Sequence, residues 1–428
     1  MNLCVVGAGY VGVVTAAVFA QLGNSVKVLE IDRDKVEKLK KGEIPFYEPG
    51  LKELVLKNIA KGNLLFADSF TEIIPGSEVI FVCVGTPPKN KGVDLSYVYS
   101  AVRSIAENLR QSAIVVIKST VPPGINNKLE KYMRKFAKVN FDLASVPEFL
   151  REGKAIEDSL SPHRVVIGTD NQLVAKKLLL LHKKIRGKRL VCSSASAQMI
   201  KYASNAFLPT KISFANSISI LCEKYQADIG EVMEGVGMDR RIGPDFLSAG
   251  LGYGGSCFPK DIAALINLAK KANYSFAILK AVEKTNQKQI DFFVKKLIRL
   301  CGGSAAGKTI VILGLAFKPG TSDMREARSI YVIEKLHKFN PTIRVCDPVA
   351  ISEAKKIFGE KVIYCGNVYT ALKGADALVL VTEWDEYKKL DFAKIKKLMR
   401  NLVILDGRNI YDQEKLQKLG FIYGGIGK

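Results

Sequence analysis

Residues 250–261 read GLGYGGSCFPKD and set one cysteine, Cys257, just after four glycines. Pro259 suits the first turn of a helix, so Cys257 falls at a helix N-terminus, where the aligned peptide dipoles favour the thiolate. A thiolate there is a nucleophile, and the glycines let a substrate come close to the backbone. A buried structural thiol is the competing reading of the same residues. Near the start of the chain, VVGAGYVG carries Gly7-x-Gly9-x-x-Gly12 with Tyr10 and Val11 inside the loop, and Glu30 follows 18 residues after Gly12. Gly7 permits a tight turn, Gly9 opens the backbone to a pyrophosphate, and Gly12 lets helix and strand pack closely. Glu30 suits adenosine ribose hydroxyls and repels a 2′-phosphate, which favours NAD over NADP. Arg33 and Lys35 stand close enough to argue the other way, and a glycine turn without a ligand is the plain alternative.

A nicotinamide and a thiolate together suggest a covalent oxidation. Hydride removal from an alcohol gives an aldehyde, and the thiolate traps it as a thiohemiacetal. A second hydride transfer leaves a thioester, and water releases an acid, for four electrons in all. The other seven cysteines (4, 83, 192, 222, 301, 346 and 365) are scattered, with no CxxC pair and no histidine at ligand spacing. They read as reduced, small hydrophobes, and no metal site is expected.

These groups need elements to hold them. A short apolar strand at 2–6 leads into the glycine loop, an amphipathic helix runs to about Leu22, and Gly23 stops it. Further buried strands are expected at 26–30, 79–84, 114–118, 141–145 and 165–168, with helical patterns between most of them. That alternation argues a doubly wound, mostly parallel sheet. One long helix is expected from about Ser196 to Tyr225, and more helices run to about residue 300. Gly302, Gly303, Ser304 and Gly307 then mark a linker into a second strand–helix series, with strands at 309–313, 343–346, 377–381 and 403–406. The expected fold is α/β, with two Rossmann-like lobes joined by a helical middle: 1–190, 191–300 and 301–428.

With 428 residues, 48% of them hydrophobic and 25% charged, the chain has material for two or three cores and is not disordered. Its net charge of +22 invites a nucleic-acid reading. The excess is spread, at +10 over 1–190, +5 over 191–300 and +7 over 301–428. Its one dense run (Lys183, Lys184, Arg186, Lys188, Arg189) has no interleaved aromatics and reads as a solvated helix end or linker. No nucleic-acid partner is expected. The N-terminus lacks the basic region of a signal peptide and no long apolar run occurs, so the expectation is a cytoplasmic protein without a membrane partner.

The ordered motifs VGAGYVG, CVGTPP (83–88), STVPPG (119–124), PEFLREG (147–153), KYASNAFL (201–208), RIGP (241–244), GYGGSCFPKD (252–261) and GLAFKPGTSDMRE (314–326) resemble those of the UDP-glucose/GDP-mannose dehydrogenases. The matches extend over residues 1 to about 410. The resemblance implies an NAD lobe, a central helical dimerisation region, and a C-terminal lobe that binds the nucleotide sugar. It also implies a two-step oxidation of UDP-glucose to the uronate with two NADH released; a UDP-N-acetylhexosamine or GDP-mannose is the alternative substrate. By motif, Cys257 is the nucleophile. Lys201 and Asn205, four apart on one helix face, stabilise a developing oxyanion. Asp261 with Thr120 positions a water or alkoxide, and Glu148 activates water against the thioester. Read without the family, Lys201 and Asn205 are open to a solvent-facing role, and Glu148 and Asp261 to being surface carboxylates or a helix cap.

The resemblance further assigns Thr86, Thr120, Glu152 and Arg325 to NAD, besides Gly7, Gly9, Tyr10, Val11, Gly12, Glu30 and Lys35. Phe149, Leu150, Gly254, Lys318 and Arg408 join Glu148, Lys201 and Asn205 in holding the nucleotide sugar, and Arg241 matches an arginine that reaches across from a partner subunit. Cations of this kind suit a diphosphate. Three features depart from the family pattern. Pro209 in the long helix predicts a kink beside Asn205. Glu30 stands where aspartate is more usual. The tail GGIGK matches nothing and is expected to be flexible.

Overall fold

In a computed structural model that describes residues 1–89 and 92–428, the first strand (β1, Asn2–Val6) turns Leu3 and Val5 into one hydrophobic core and Cys4 and Val6 into another. Side chains of period two that are apolar on both faces belong to a sheet covered on both sides. The chain divides into two compact units, Met1–Ser204 and Asn205–Lys428.

The sheet of the first unit adds β2 (Ser25–Leu29), β3 (Leu64–Ala67), β4 (Val79–Val82), β7 (Ala113–Ile117), β8 (Phe141–Ser145), β9 (Arg164–Gly168) and β10 (Lys188–Cys192), while β5 (Pro88–Lys89) and β6 (Gly92–Val93) form a separate antiparallel pair. Its order is β10-β9-β8-β7-β4-β1-β2-β3. Pairing is parallel except between β8 and β9, which meet antiparallel at Ser145 and Gly168. The strand order reverses about β1, so the crevice at its carboxyl end is the topological switch point where such sheets bind ligands.

The second unit carries β11 (Thr309–Leu313), β12 (Thr342–Cys346), β13 (Ile363–Tyr364), β14 (Ala377–Leu380), β15 (Val403–Asp406) and β16 (Ile422–Gly424), in the order β13-β12-β11-β14-β15-β16 and parallel throughout. Ile310 and Ile312 face a core shared with Ala215, Ile290 and Leu297 of the helices, while Val311 and Leu313 face the opposite core. The expected fold class, two Rossmann-like sheets and a helical region with one long helix, is what the chain adopts. That helix spans Ser194–Tyr225, 32 residues, and runs unbroken through Pro209. Among the described residues no helix is long and apolar enough to cross a membrane.

Three expectations need correction. The short strands β3, β10, β13 and β16 stand beyond the expected set; each is the outermost strand of its sheet, two to five residues long, and too short for a periodic pattern to mark it. Lys188 and Arg189 of the basic run lie in β10 instead of a helix end or linker. The Arg189 guanidinium donates to the carbonyls of His182 (3.0 Å) and Ile185 (2.6 Å), and the Lys184 ammonium donates to the Leu22 carbonyl (2.8 Å), so part of the run caps helix ends. Finally, the GGIGK tail is docked. Ile426 joins the core, Asn409 exchanges two 2.8 Å hydrogen bonds with its backbone, and a Cβ on Gly427 would fall 2.7 Å from Ile229. Glycines lacking side chains let this segment lie flat against the helices.

Candidate active site

The glycine loop is built as its spacing requires. Gly7 has φ +99°, and a Cβ there would lie 3.1 Å from the Cys83 carbonyl. A Cβ on Gly12 would fall 1.9 Å from the Gly7 oxygen, so only glycine closes this turn. Gly9 caps the helix Tyr10–Gln21, and nothing lies within 4 Å of where its Cβ would sit. This open cradle at a helix N-terminus fits the pyrophosphate of a dinucleotide. Tyr10 and Val11 form the first, half-buried turn of that helix. At the end of β2 the Glu30 carboxylate accepts from the Ala8 amide (3.2 Å), the Ile31 amide (3.0 Å) and the Lys35 ammonium (2.7 Å). Burial raises the Glu30 pKa, but the Lys35 hydrogen bond and charge, with the backbone donors, bring it below its ordinary value. Arg33 pairs with Asp68 at 2.9 Å. Both cations that argued for a 2′-phosphate are therefore engaged by carboxylates. Thr86, Thr120 and Glu152 are half-buried on the loops that follow β4, β7 and β8.

The segment after β8 carries Glu148. One of its oxygens accepts from the Lys201 ammonium at 2.7 Å, and the other from the Leu150 amide at 2.6 Å. Neither Lys201 nor Glu148 faces solvent, since their side chains are 5% and 8% exposed. Desolvation raises the Glu148 pKa, yet the Lys201 charge and hydrogen bond outweigh it and hold the carboxyl below its ordinary value. Phe149 stacks under the Arg164 guanidinium at 4.0 Å, with the Lys201 ammonium 5.5 Å from its ring. In this unit the sequence reading missed Lys118, whose pKa burial lowers against the opposing pull of the Cys83 and Glu148 charges. It lines a cavity of about 60 Å³ with Glu148, Phe149, Leu150, Arg164 and His182. Its signal was its place directly ahead of the STVPPG motif.

In the second unit, Cys257 is the N-cap of the helix Phe258–Lys271, with Pro259 in its first turn. It is the exposed one among the eight cysteines, against the buried-thiol reading, and the Ser256 hydroxyl lies 3.5 Å from its Sγ. Burial pushes the thiols of Cys83 and Cys346 up to about 12, which leaves them inert. Buried polar side chains fix the backbone leading to Cys257. Asn216 accepts from the Gly250 amide (2.8 Å) and Gln289 donates to the Gly250 carbonyl (2.8 Å). Asn286 holds both the amide (2.9 Å) and the carbonyl (3.1 Å) of Tyr253, and Arg328 donates to the Leu251 carbonyl (3.2 Å). The sequence reading missed these four; polar residues at core positions of the helices were the available signal.

The glycine turn also meets the GLAFKPGTSDMRE segment. The Gly255 amide donates to the Arg325 carbonyl (3.0 Å), and a Cβ on Gly254 would fall 2.1 Å from the Glu326 carbonyl oxygen. Arg325 is exposed and forms a fork with Asp323, and Lys318 is half-buried beside Phe317. Arg408 donates to the Val381 carbonyl (2.6 Å) and pairs with Glu383 (3.0 Å), and its guanidinium would lie 3.5 Å from a Cβ on Gly250. The Asn205 amide donates to Asp261 at 2.7 Å, and Lys260 pairs with the other Asp261 oxygen at 2.6 Å. Asn205 and Asp261 are buried, so neither is a surface group. Arg241 stands apart, 89% exposed in its side chain and forked to Asp239.

A dinucleotide-type Rossmann unit, together with a second unit that exposes a cysteine at a helix N-terminus, defines a nicotinamide-dependent oxidoreductase. Family models for the UDP-glucose/GDP-mannose dehydrogenases match the chain three times: the NAD binding domain over residues 1–186, the central domain over 195–288 and the UDP binding domain over 311–413. The chain is 44% identical over 430 residues to the UDP-glucose 6-dehydrogenase TuaD of Bacillus subtilis (strain 168), covering 100% of this chain and 93% of that one. The solved UDP-glucose dehydrogenase of Pyrobaculum islandicum superposes with a TM-score of 0.92 at 38% identity, covering 99% and 97% of the two chains. A UDP-D-ManNAc dehydrogenase of Pyrococcus horikoshii superposes with a TM-score of 0.88 at 28% identity, covering 100% and 99%. The chain belongs to the UDP-glucose/GDP-mannose dehydrogenase family, and its cofactor is NAD.

Proposed function

We propose that the chain oxidises UDP-glucose to UDP-glucuronate in two steps, through a thiohemiacetal and then a thioester on Cys257. The observation that carries this reading is an exposed Cys257 at a helix N-terminus, on a glycine turn held by Asn216, Asn286, Gln289 and Arg328. NAD, when bound, would supply the hydride acceptor for both oxidations. Glu30 and the Gly7–Gly12 loop orient its adenosine and pyrophosphate, with Tyr10, Val11, Lys35, Thr86, Thr120, Glu152 and Arg325 as further contacts. The Cys257 thiolate adds to the aldehyde carbon, and Lys201 and Asn205 donate to the resulting oxyanion. Asp261 with Thr120 positions a water that accepts the alcohol proton, and Glu148 takes a proton from the water that cleaves the thioester, restoring the thiol. Phe149, Leu150, Gly254, Lys318 and Arg408 hold the nucleotide sugar.

The same reading makes the protein a homodimer or larger homo-oligomer to which Arg241 of a partner subunit contributes, with the domains divided near 190 and 300. It works in the cytoplasm, where NAD and nucleotide sugars are both supplied. The structural likeness to the Pyrococcus horikoshii UDP-D-ManNAc dehydrogenase favours a UDP-N-acetylhexosamine as the second substrate reading. An absorbance assay at 340 nm with UDP-glucose, UDP-N-acetylhexosamines and GDP-mannose separates the two. Two NADH per UDP-glucose is the expected result, and no reduction with UDP-glucose overturns the first reading.

A further inference from the structure

Glu48 is a buried carboxylate that none of the steps above uses. It opens the sequence Glu48-Pro49-Gly50-Leu51, where the Leu51 amide donates to the Glu48 carbonyl (3.2 Å) and Gly50 adopts φ +75° and ψ −4°. Those are the angles of a type II turn, with proline and glycine at the positions it prefers, so the backbone that presents Glu48 is stiff. One carboxylate oxygen accepts from the Tyr10 hydroxyl and from the Gly153 amide (2.6 Å), and the other accepts from the Ala155 amide (2.7 Å). Phe46 packs on the Tyr10 ring with centroids 5.0 Å apart.

The two sides of this junction matter to the cofactor and to the loop after β8. Tyr10 is the first residue of the helix that opens on Gly9. Gly153 and Ala155 end the segment that carries Glu148 and Glu152. We infer that Glu48 is a positioning residue that couples the cofactor loop to the Glu148–Glu152 segment, so that a nicotinamide dinucleotide seated at Tyr10 stiffens residues 148–158 through this one carboxylate. The inference rests on the NAD reading of the glycine loop and is tested without turnover. Three donors converge on two oxygens, which a carboxylate satisfies and an amide cannot, since an amide offers one oxygen and turns an NH2 toward the remaining donors.

The test measures NADH affinity by fluorescence titration and amide hydrogen exchange over residues 148–158, each in the full chain. In the unsubstituted protein NADH slows exchange in that segment. In Glu48→Gln the affinity is expected to fall about tenfold, and NADH no longer protects the segment. In Tyr10→Phe the segment keeps its basal protection, because both amide bonds to Glu48 survive, but the additional protection by NADH is lost. A role confined to stability would change basal exchange and leave affinity untouched. Unchanged affinity in Glu48→Gln, or full NADH-dependent protection in Tyr10→Phe, overturns the coupling, and the second variant decides it should the first fail to fold. Absence of any nucleotide-sugar oxidation would instead strike the function proposed above and leave these binding readouts standing.

Discussion

The ammonium of Lys201 lies 2.7 Å from the carboxylate of Glu148, and both side chains are more than nine-tenths buried. The pair stands at the end of β8, where the strand hands the chain to the PEFLREG segment, and its second carboxylate oxygen is held by the Leu150 amide. Neither charge is tolerable there alone. Removing one partner of a buried pair strands the other, at a cost of about 3–5 kcal/mol.

Glu148→Gln removes the negative partner and the proposed base together. The melting temperature should fall, and an acyl adduct should accumulate on Cys257 under saturating NAD and UDP-glucose, seen by intact mass. A variant that turns over at the unsubstituted rate with no adduct refutes the role of Glu148 in hydrolysis.

Acid should weaken the same pair. The Glu148 carboxyl, although burial raises it, is held below its ordinary value of 4.5 by Lys201. Its contribution is therefore fully present above pH 4.5 and is lost as pH falls through the depressed value. His182 adds a second, separate window. Burial lowers it from 6.5 to about 4, so the folded chain holds it neutral where the unfolded chain is protonated. Stability should drop by roughly 2 kcal/mol between pH 6.5 and 5 at ~1.36 kcal/mol per pH unit, and a His182→Gln variant should flatten that slope in urea titrations.

Cys257→Ser should abolish overall turnover, by about 10³-fold or more, because an alcohol at that position is not ionised at neutral pH. NADH binding should survive, since Cys257 and the Gly7–Gly12 loop belong to different units. Retained steady-state turnover would dismiss the thioester route.

Gly12→Ala places a Cβ 1.9 Å from the Gly7 oxygen, and that atom is backbone with nowhere to go. The loop must open, so dinucleotide affinity should fall more than tenfold while the second unit keeps its structure. Circular dichroism with NADH titration reads both, and undiminished affinity contradicts the tight-turn account of Gly12.

Asn286→Ala unclamps Tyr253, which Asn286 holds through both its amide and its carbonyl. It should cut kcat about tenfold or more and leave NADH affinity unchanged, because its side chain holds the backbone leading to Cys257 within the second unit. Faster iodoacetamide labelling of Cys257 without loss of activity would count against this.

Local patterns carried much of this molecule. The glycine spacing followed by Glu30, the helix-starting Pro259 after Cys257, and the runs of apolar residues at β1, β4, β7, β11 and β14 are set by neighbours within a few residues, so the central strands of both sheets, the cofactor loop and the helix start at Cys257 were legible in the sequence, whereas the exposure of that thiol was decided by the fold. What it left open depends on partners far apart in the chain. Whether Glu148 faced water or Lys201, and whether Asp261 met Asn205, are separations of 53 and 56 residues that no local pattern encodes. Glu48 reaches across 105 residues to Gly153, and Asn286 across 33 to Tyr253. The docked tail belongs to the same class, since a run of glycines is equally fit to wander or to lie flat until a surface without room for a Cβ selects it. Residue type and short spacing decide which chemistry is available; burial and the pairing of distant charges decide which of those groups are ionised, aimed and protected, and only the tertiary fold supplies them.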